Sequence, residues 1–137
     1  MLFILKASIP LGSIATTLAC TCLYTPLKER LCRSNFAVIG TVVGSKCTGP
    51  LRNGFCDGER RYTVAVKEFL KTSQGTSDTI DVITPGNAGI CGVYLPEDRL
   101  VFISGYSSYY INACRGETAV GEDDTFAEHR KILENEC

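Results

Sequence analysis

Apolar residues follow the two-residue period of β-strands in several segments of the chain. Tyr62, Val64 and Val66 alternate in this way, and the run FAVIGTVVG is rich in the β-branched residues that favour strands. This pattern predicts five or six strands, the clearest of them over residues 36–44, 61–70, 79–84, 100–104 and 109–114. Several short strands joined by short turns predict a mainly β fold, a small antiparallel barrel.

Two short helices are predicted beside the strands. In the dipeptide Thr25-Pro26, threonine suits the N-cap and proline the first helical position, so a helix is expected from there to near Cys32. Thr125 and Glu128 have the spacing of a capping box, which predicts a second helix running to Cys137. The barrel is therefore expected to carry a short N-terminal and a C-terminal helix.

The polar residues near the end of the chain indicate structural roles. Residues 115–124 are predicted to form a loop, and its acids Glu122, Asp123 and Asp124 stand beside the start of a helix, which negative charge stabilises. The single histidine, His129, is expected to face water. No Ser/His/Asp set can be assembled around one histidine, and no phosphate-binding glycine loop is present, so the sequence does not favour an enzyme.

Eight cysteines in 137 residues predict a disulfide framework formed in an oxidising compartment. A zinc site is the rival interpretation, but there is no Cys-x-x-Cys unit and only one histidine. Cys47 and Cys56 enclose two turn signals, Gly49-Pro50 and Asn53-Gly54, which suggests a loop closed by its own short bridge.

Residues 1–19 predict a signal peptide. The segment is mostly apolar, has no acidic residue, and ends in the small-x-small sequence Thr17-Leu18-Ala19. Cleavage after Ala19 would make Cys20 the first residue of the mature, secreted chain, and cleavage after Ala15 is the alternative. A short buried strand or a membrane anchor are the other interpretations, although the segment is too short for an ordinary span.

Charge excludes one class of partner. Removing residues 1–19 removes Lys6 from the 14 basic residues, which leaves 13 against 15 acidic residues and a net charge of −2. Because no basic stripe stands out, we do not expect nucleic acid as a partner. No apolar run after residue 19 is long enough to cross a membrane.

The start CTC, the third cysteine Cys32, the strand FAVIGTVVG, the segment ITPGNAGICGVYL and a final helix ending in Cys137 resemble one known domain. It is the N-terminal, netrin-like domain of the tissue inhibitors of metalloproteinases, and the likeness covers residues 20–137. The resemblance implies a closed OB-like barrel stapled by disulfides. Because the sequence ends at Cys137, we expect a single-domain form of the inhibitor.

The resemblance implies three bridges, Cys20–Cys91, Cys22–Cys114 and Cys32–Cys137. Spacing alone does not select this set, since eight cysteines permit 105 pairings. The two remaining cysteines would form the bridge Cys47–Cys56, which departs from the family pattern.

The resemblance also implies a function, inhibition of secreted zinc metalloendopeptidases of the matrix metalloproteinase type. The α-amino nitrogen and the carbonyl oxygen of Cys20 would bind the enzyme's catalytic zinc and displace its water. The inhibitor would bring no cofactor and would act as a monomer in a 1:1 complex. The protease-binding residues implied in this way are Cys20, Thr21, Cys22, Leu23, Tyr24, Ala88, Gly89, Ile90 and Cys91.

Other interpretations of these positions stay open. Thr21 could be only a spacer between two bridged residues, and Leu23 and Ile90 could be core residues. A netrin-like binding module that acts on a receptor or a matrix component, without protease inhibition, is the alternative function. The mature N-terminus distinguishes the two, since the inhibitor requires a free amine at Cys20.

Overall fold

The computed structural model describes residues 20–137, so the signal peptide expected over residues 1–19 lies outside the described part of the chain. Five strands form one antiparallel sheet. A separate two-stranded hairpin comes, in the sequence, between the first two of these strands. Within residues 20–137, no helix is long and apolar enough to span a bilayer.

The strands and helices are numbered here in chain order. The strands are β1 (Phe36–Cys47), β2 (Leu51–Arg52), β3 (Phe55–Cys56), β4 (Glu59–Lys71), β5 (Thr79–Pro85), β6 (Leu100–Gly105) and β7 (Glu117–Val120). The helices are α1 (Leu27–Arg33) and α2 (Ala127–Asn135), and single 3-10 turns cover Ala88–Ile90, Ser107–Tyr109 and Asp123–Phe126. The order of strands in the large sheet is β5-β4-β1-β6-β7, and β2 pairs with β3.

The mainly β class with two helices is confirmed, whereas closure of the sheet stays a prediction. No ladder joins the edge strands β5 and β7 in the described chain. An isolated bridge pairs Ile83 of β5 with Tyr110, and a second pairs Tyr110 with Tyr106, just after β6. The long ladder between β1 and β4 also changes register three times, which bends these strands.

The first residues of the central strand β1 and most of its neighbour β6 are buried on both faces. Successive residues of a strand point to opposite faces, so Val38 and Val42 of β1 enter one cluster while Ala37 and Ile39 enter the other. The second cluster also receives residues from both helices. These are Leu31 of α1 and Ile132 of α2, which pack with Phe102 and Phe126. The helices therefore cover one face of the sheet.

The strand expected over residues 109–114 is wrong, and so is the loop expected over 115–124. Ser108 and Tyr109 have φ angles of 62° and 56°, a left-handed conformation that interrupts an extended strand. Gly116, with a φ of 82°, then turns the chain into β7, where an added Cβ would collide with the Ser104 carbonyl oxygen. The tyrosines at positions 109 and 110 favour a strand locally. In the structure Tyr110 forms only isolated bridges, one of them to Ile83, and the segment connects β6 to β7.

The expected helix boundaries need two corrections. Pro26 occupies the N-cap position of α1, one residue later than the cap expected at Thr25. The capping box is formed by Glu122 and Thr125, where the backbone N–H of Glu122 donates to the Thr125 hydroxyl oxygen at 3.0 Å. It caps a 3-10 turn, so the box expected between Thr125 and Glu128 is wrong.

His129 is buried, not exposed to water as expected. His129 belongs to α2, and its side chain is on the face of the helix that packs on the sheet. Its ring centroid lies 4.5 Å from that of Phe102. Its Nε2 atom lies 3.6 Å from a carboxylate oxygen of Glu117 in β7. The helix is short and mostly polar, so its sequence did not reveal that His129 belongs to the face packed on the sheet.

Candidate functional site

All eight cysteines lie within residues 20–137, and all are paired. The bridges are Cys20–Cys91, Cys22–Cys114, Cys32–Cys137 and Cys47–Cys56, the same four pairs that were expected. Oxidised sulfur is not the thiolate that a structural zinc site needs, so the rival zinc interpretation has no cysteine ligands here. Four bridges in a domain of this size are typical of proteins from oxidising compartments.

The first two bridges lie side by side. The sulfur of Cys114 is 3.7 Å from that of Cys20 and 3.8 Å from that of Cys91. The N-terminal segment is thus fixed at Cys20 and again at Cys22, two residues later. A segment held at two points so close together has little freedom to move relative to the body.

A tight turn presents residues 88–90 beside this segment. The carbonyl oxygen of Asn87 accepts hydrogen bonds from the N–H groups of Ile90 and Gly92, at 3.2 and 2.9 Å. Cys91 closes the turn in a left-handed conformation, with a φ of 71°. Its carbonyl oxygen accepts from the N–H of Ala113 at 2.8 Å, which ties the turn to the chain beside Cys114.

The structure brings the expected site residues together on one exposed edge. Leu23 and Tyr24 are 93% and 88% exposed, and Ile90 is 56% exposed, so the alternative that Leu23 and Ile90 are core residues is wrong. Thr21, Ala88 and Gly89 are also exposed. We call residues 20–24 and 88–91 together the N-terminal ridge.

The base of the ridge is anchored to the sheet just after Cys91. The Tyr62 hydroxyl of β4 donates to the carbonyl oxygen of Val93 at 3.2 Å, and the N–H of Val93 donates to the Thr84 hydroxyl oxygen of β5 at 3.0 Å. Burial raises the pKa of the Tyr62 phenol, so this group remains a neutral donor at physiological pH. The ridge therefore stands on buried hydrogen bonds to two strands.

Substitution of Gly92 by alanine tests how much the stability of the fold depends on the close approach of backbone atoms at the base of the ridge. A Cβ at this position would collide with the Pro85 carbonyl oxygen and lie 2.7 Å from the Asn87 carbonyl oxygen, both rigid backbone atoms. We expect Gly92→Ala to lower the free energy of unfolding by about 1–3 kcal/mol, as overpacking usually does. Urea unfolding of a chain of residues 20–137, with and without the substitution, measures this loss.

Gly44→Ala is the matched control, because an added Cβ at Gly44 of β1 would meet nothing within 4 Å. The same substitution should there change the stability by less than about 0.5 kcal/mol. Equal losses at both glycines would mean that the turn after Cys91 relaxes without cost.

Sequence reasoning missed one neighbour of the ridge. The β2–β3 hairpin, closed by Cys47–Cys56, presents Leu51 and Phe55, each 66% exposed. Phe55 lines a cavity of about 470 Å³ together with Ala88 and Gly89 of the ridge. The Asn53-Gly54 turn signalled the hairpin, but no local pattern places its tip beside residues that lie more than thirty positions later.

Comparison of the chain with protein-family models gave no match, and comparison with curated proteins gave none either.

Proposed function

We propose that the mature chain is a secreted inhibitor of zinc metalloendopeptidases of the matrix metalloproteinase type. The observation that carries this proposal is the N-terminal ridge: its exposed residues 21–24 are held by two adjacent bridges and stand beside a second exposed turn. The two bridges limit the motion of this exposed segment. It suits the concave cleft of an endopeptidase.

The proposed mechanism uses the backbone of Cys20. A catalytic zinc has three protein ligands and one open position that holds water. The amino nitrogen and the carbonyl oxygen of Cys20 bind the metal and displace that water, so the enzyme loses its nucleophile. The inhibitor itself holds no metal and performs no catalysis.

The chemistry of the amine favours this role at neutral pH. An α-amino group has an ordinary pKa of about 7.7–8.0, whereas a lysine amine has one of about 10.4. The neutral form, which alone has a lone pair for the metal, is therefore reached at small cost. Because the Cys20 sulfur is bonded to Cys91, it is not available as a competing ligand.

The neighbouring residues then follow the cleft of the enzyme. Thr21 points to the main specificity pocket, which its short side chain fills only in part. Leu23 and Tyr24 lie along the substrate groove, and the turn formed by residues 88–90 lies on its other side. Because both bridges limit motion before binding, the complex loses little conformational entropy on docking, and a 1:1 complex of a monomer can be tight.

The deciding experiment has two parts. Mass spectrometry of the secreted protein first establishes whether it begins at Cys20. The mature chain is then titrated against a panel of matrix metalloproteinases, with residual peptidase activity as the measurement. We expect stoichiometric inhibition of several enzymes. A chain that begins at Cys20 and inhibits none of them would refute the proposal and favour the netrin-like module that binds a receptor or a matrix component.

Thr21→Gly tests whether this side chain enters the specificity pocket. Thr21 is exposed and flanked by two bridged cysteines, so its replacement should leave the fold unchanged. Losing one methyl and one hydroxyl contact should weaken binding by about 1–2 kcal/mol for some enzymes and by less for others. Inhibition constants across the panel measure the spread. If every enzyme is affected equally, Thr21 is only a spacer between the bridges.

A further inference from the structure

A second cavity lies behind the N-terminal segment, away from the turn at residues 88–90. Its volume is about 480 Å³. Thr21 and Leu23 form one wall, α1 contributes Arg30 and Arg33, and the connection after β6 contributes Tyr106 and Arg115. We call this cavity the arginine pocket.

Positive charge dominates the arginine pocket. Three arginines are among its lining residues, and no acidic residue is. Its charge is a local feature, because the chain from Cys20 onward carries more acidic than basic residues. A concave surface lined by one sign of charge concentrates ions of the opposite sign.

The three arginines keep donors free for a ligand. Arg30 uses its Nη1 atom in a 2.6 Å ion pair with Glu117, while its buried Nε atom has no hydrogen-bond partner. Arg33 pairs with Glu29 one helical turn earlier, at 2.6 Å, but both side chains are largely exposed and such pairs are weak. These ion pairs therefore leave part of the guanidinium surface unused.

Arg115 is positioned without a carboxylate. Its guanidinium carbon lies 5.2 Å from the centroid of the Tyr106 ring, which orients the group by a cation–π contact. Among residues 20–137 it forms no salt bridge. A guanidinium group held over an aromatic ring at the rim of a positive cavity is well placed to bind an anion.

We infer that the arginine pocket binds an oxyanion, the chemistry shared by phosphate, sulfate and carboxylate groups. Arginine presents its N–H donors in a planar fork that matches two oxygens of such a group. Thr25, which also lines the cavity, adds a hydroxyl group that can donate to an oxyanion. The oxyanion is held between Arg33 and Arg115.

Two sources could supply this group. One is a free inorganic oxyanion, and binding of that kind does not depend on the proposed function. The other is an acidic side chain of the enzyme bound at the ridge, since Thr21 and Leu23 belong to both surfaces. This second source rests on the proposed function.

The binding test uses the mature chain alone and inorganic phosphate as the probe. We expect saturable shifts of the backbone amide signals of Thr21, Arg115 and Gly116 in NMR spectra, with chloride keeping the ionic strength constant. Arg115→Gln should weaken phosphate binding about tenfold, because it removes charge-assisted hydrogen bonds. Arg115 is exposed, so this variant keeps the fold.

Arg61→Gln is the matched control, because Arg61 pairs with Asp81 on the sheet and does not line the pocket. It should bind phosphate as the parent chain does. Absence of saturable shifts, or an equal effect of the two substitutions, would overturn the inference.

An inhibition assay then separates the two sources. If an acidic side chain of the enzyme occupies the pocket, saturating phosphate raises the inhibition constant of the parent chain, and Arg115→Gln removes that sensitivity. If phosphate binds but leaves the inhibition constant unchanged, the ligand is a free oxyanion. A chain that inhibits no enzyme but binds phosphate at Arg115 refutes the proposed function and supports the pocket.

Discussion

One alanine added ahead of Cys20 in the mature chain is expected to abolish inhibition. The extension converts the α-amino group into an amide nitrogen, which has no available lone pair for zinc, and it places a new residue where the metal should be. Loss of a central contact of this kind costs about 4 kcal/mol, so the inhibition constant should rise about 1,000-fold. Inhibition of one responsive metalloproteinase, measured for both chains, gives this ratio.

The control for this variant is a chain with one alanine added after Cys137, at the opposite end of the sequence. Both extended chains should form the four native bridges and unfold at the same urea concentration as the parent, because neither addition enters the core. The C-terminal extension should leave the inhibition constant unchanged. An N-terminal extension that inhibits as well as the parent would remove Cys20 from the mechanism.

The disulfide framework and most strands could be predicted from the sequence, for different reasons. Long strands such as β4 alternate clearly, with Tyr62 and Val64 buried on one face, and tertiary contacts reinforce the local pattern. The bridges required the family resemblance, since spacing alone leaves many pairings. The short strand β7 escaped prediction because Glu117–Val120 has little apolar periodicity and is fixed by pairing with β6.

The site was predictable only in part. The resemblance named the residues of the N-terminal ridge, and the exposure of Leu23 and Ile90 then excluded a place in the core. The arginine pocket was not predictable, because Arg30 and Arg115, which both line it, are far apart in sequence. Contacts of that kind depend on the folded topology and leave no local pattern.

Removing the bridge Cys32–Cys137 is expected to cause the largest loss of stability among the substitutions considered. This bridge joins the end of α1 to the end of the described chain across 105 residues, and the two helices pack together through Leu31 and Ile132. A cross-link restricts the unfolded chain more when it closes a longer loop. The double variant Cys32→Ser/Cys137→Ser should therefore lose about 4–5 kcal/mol of unfolding free energy.

The bridge Cys47–Cys56 provides the matched comparison, because its cysteines are separated by only 9 positions in the sequence. The double variant Cys47→Ser/Cys56→Ser should lose about 2–3 kcal/mol by the same relation. Urea unfolding of the parent and both double variants measures the two losses, and equal losses would contradict the loop-length argument. Since neither bridge holds the N-terminal ridge, both variants should inhibit with the parent's constant at temperatures where they remain folded. Loss of inhibition by a folded Cys32→Ser/Cys137→Ser chain would show that the ridge depends on the helices as well as on Cys91 and Cys114.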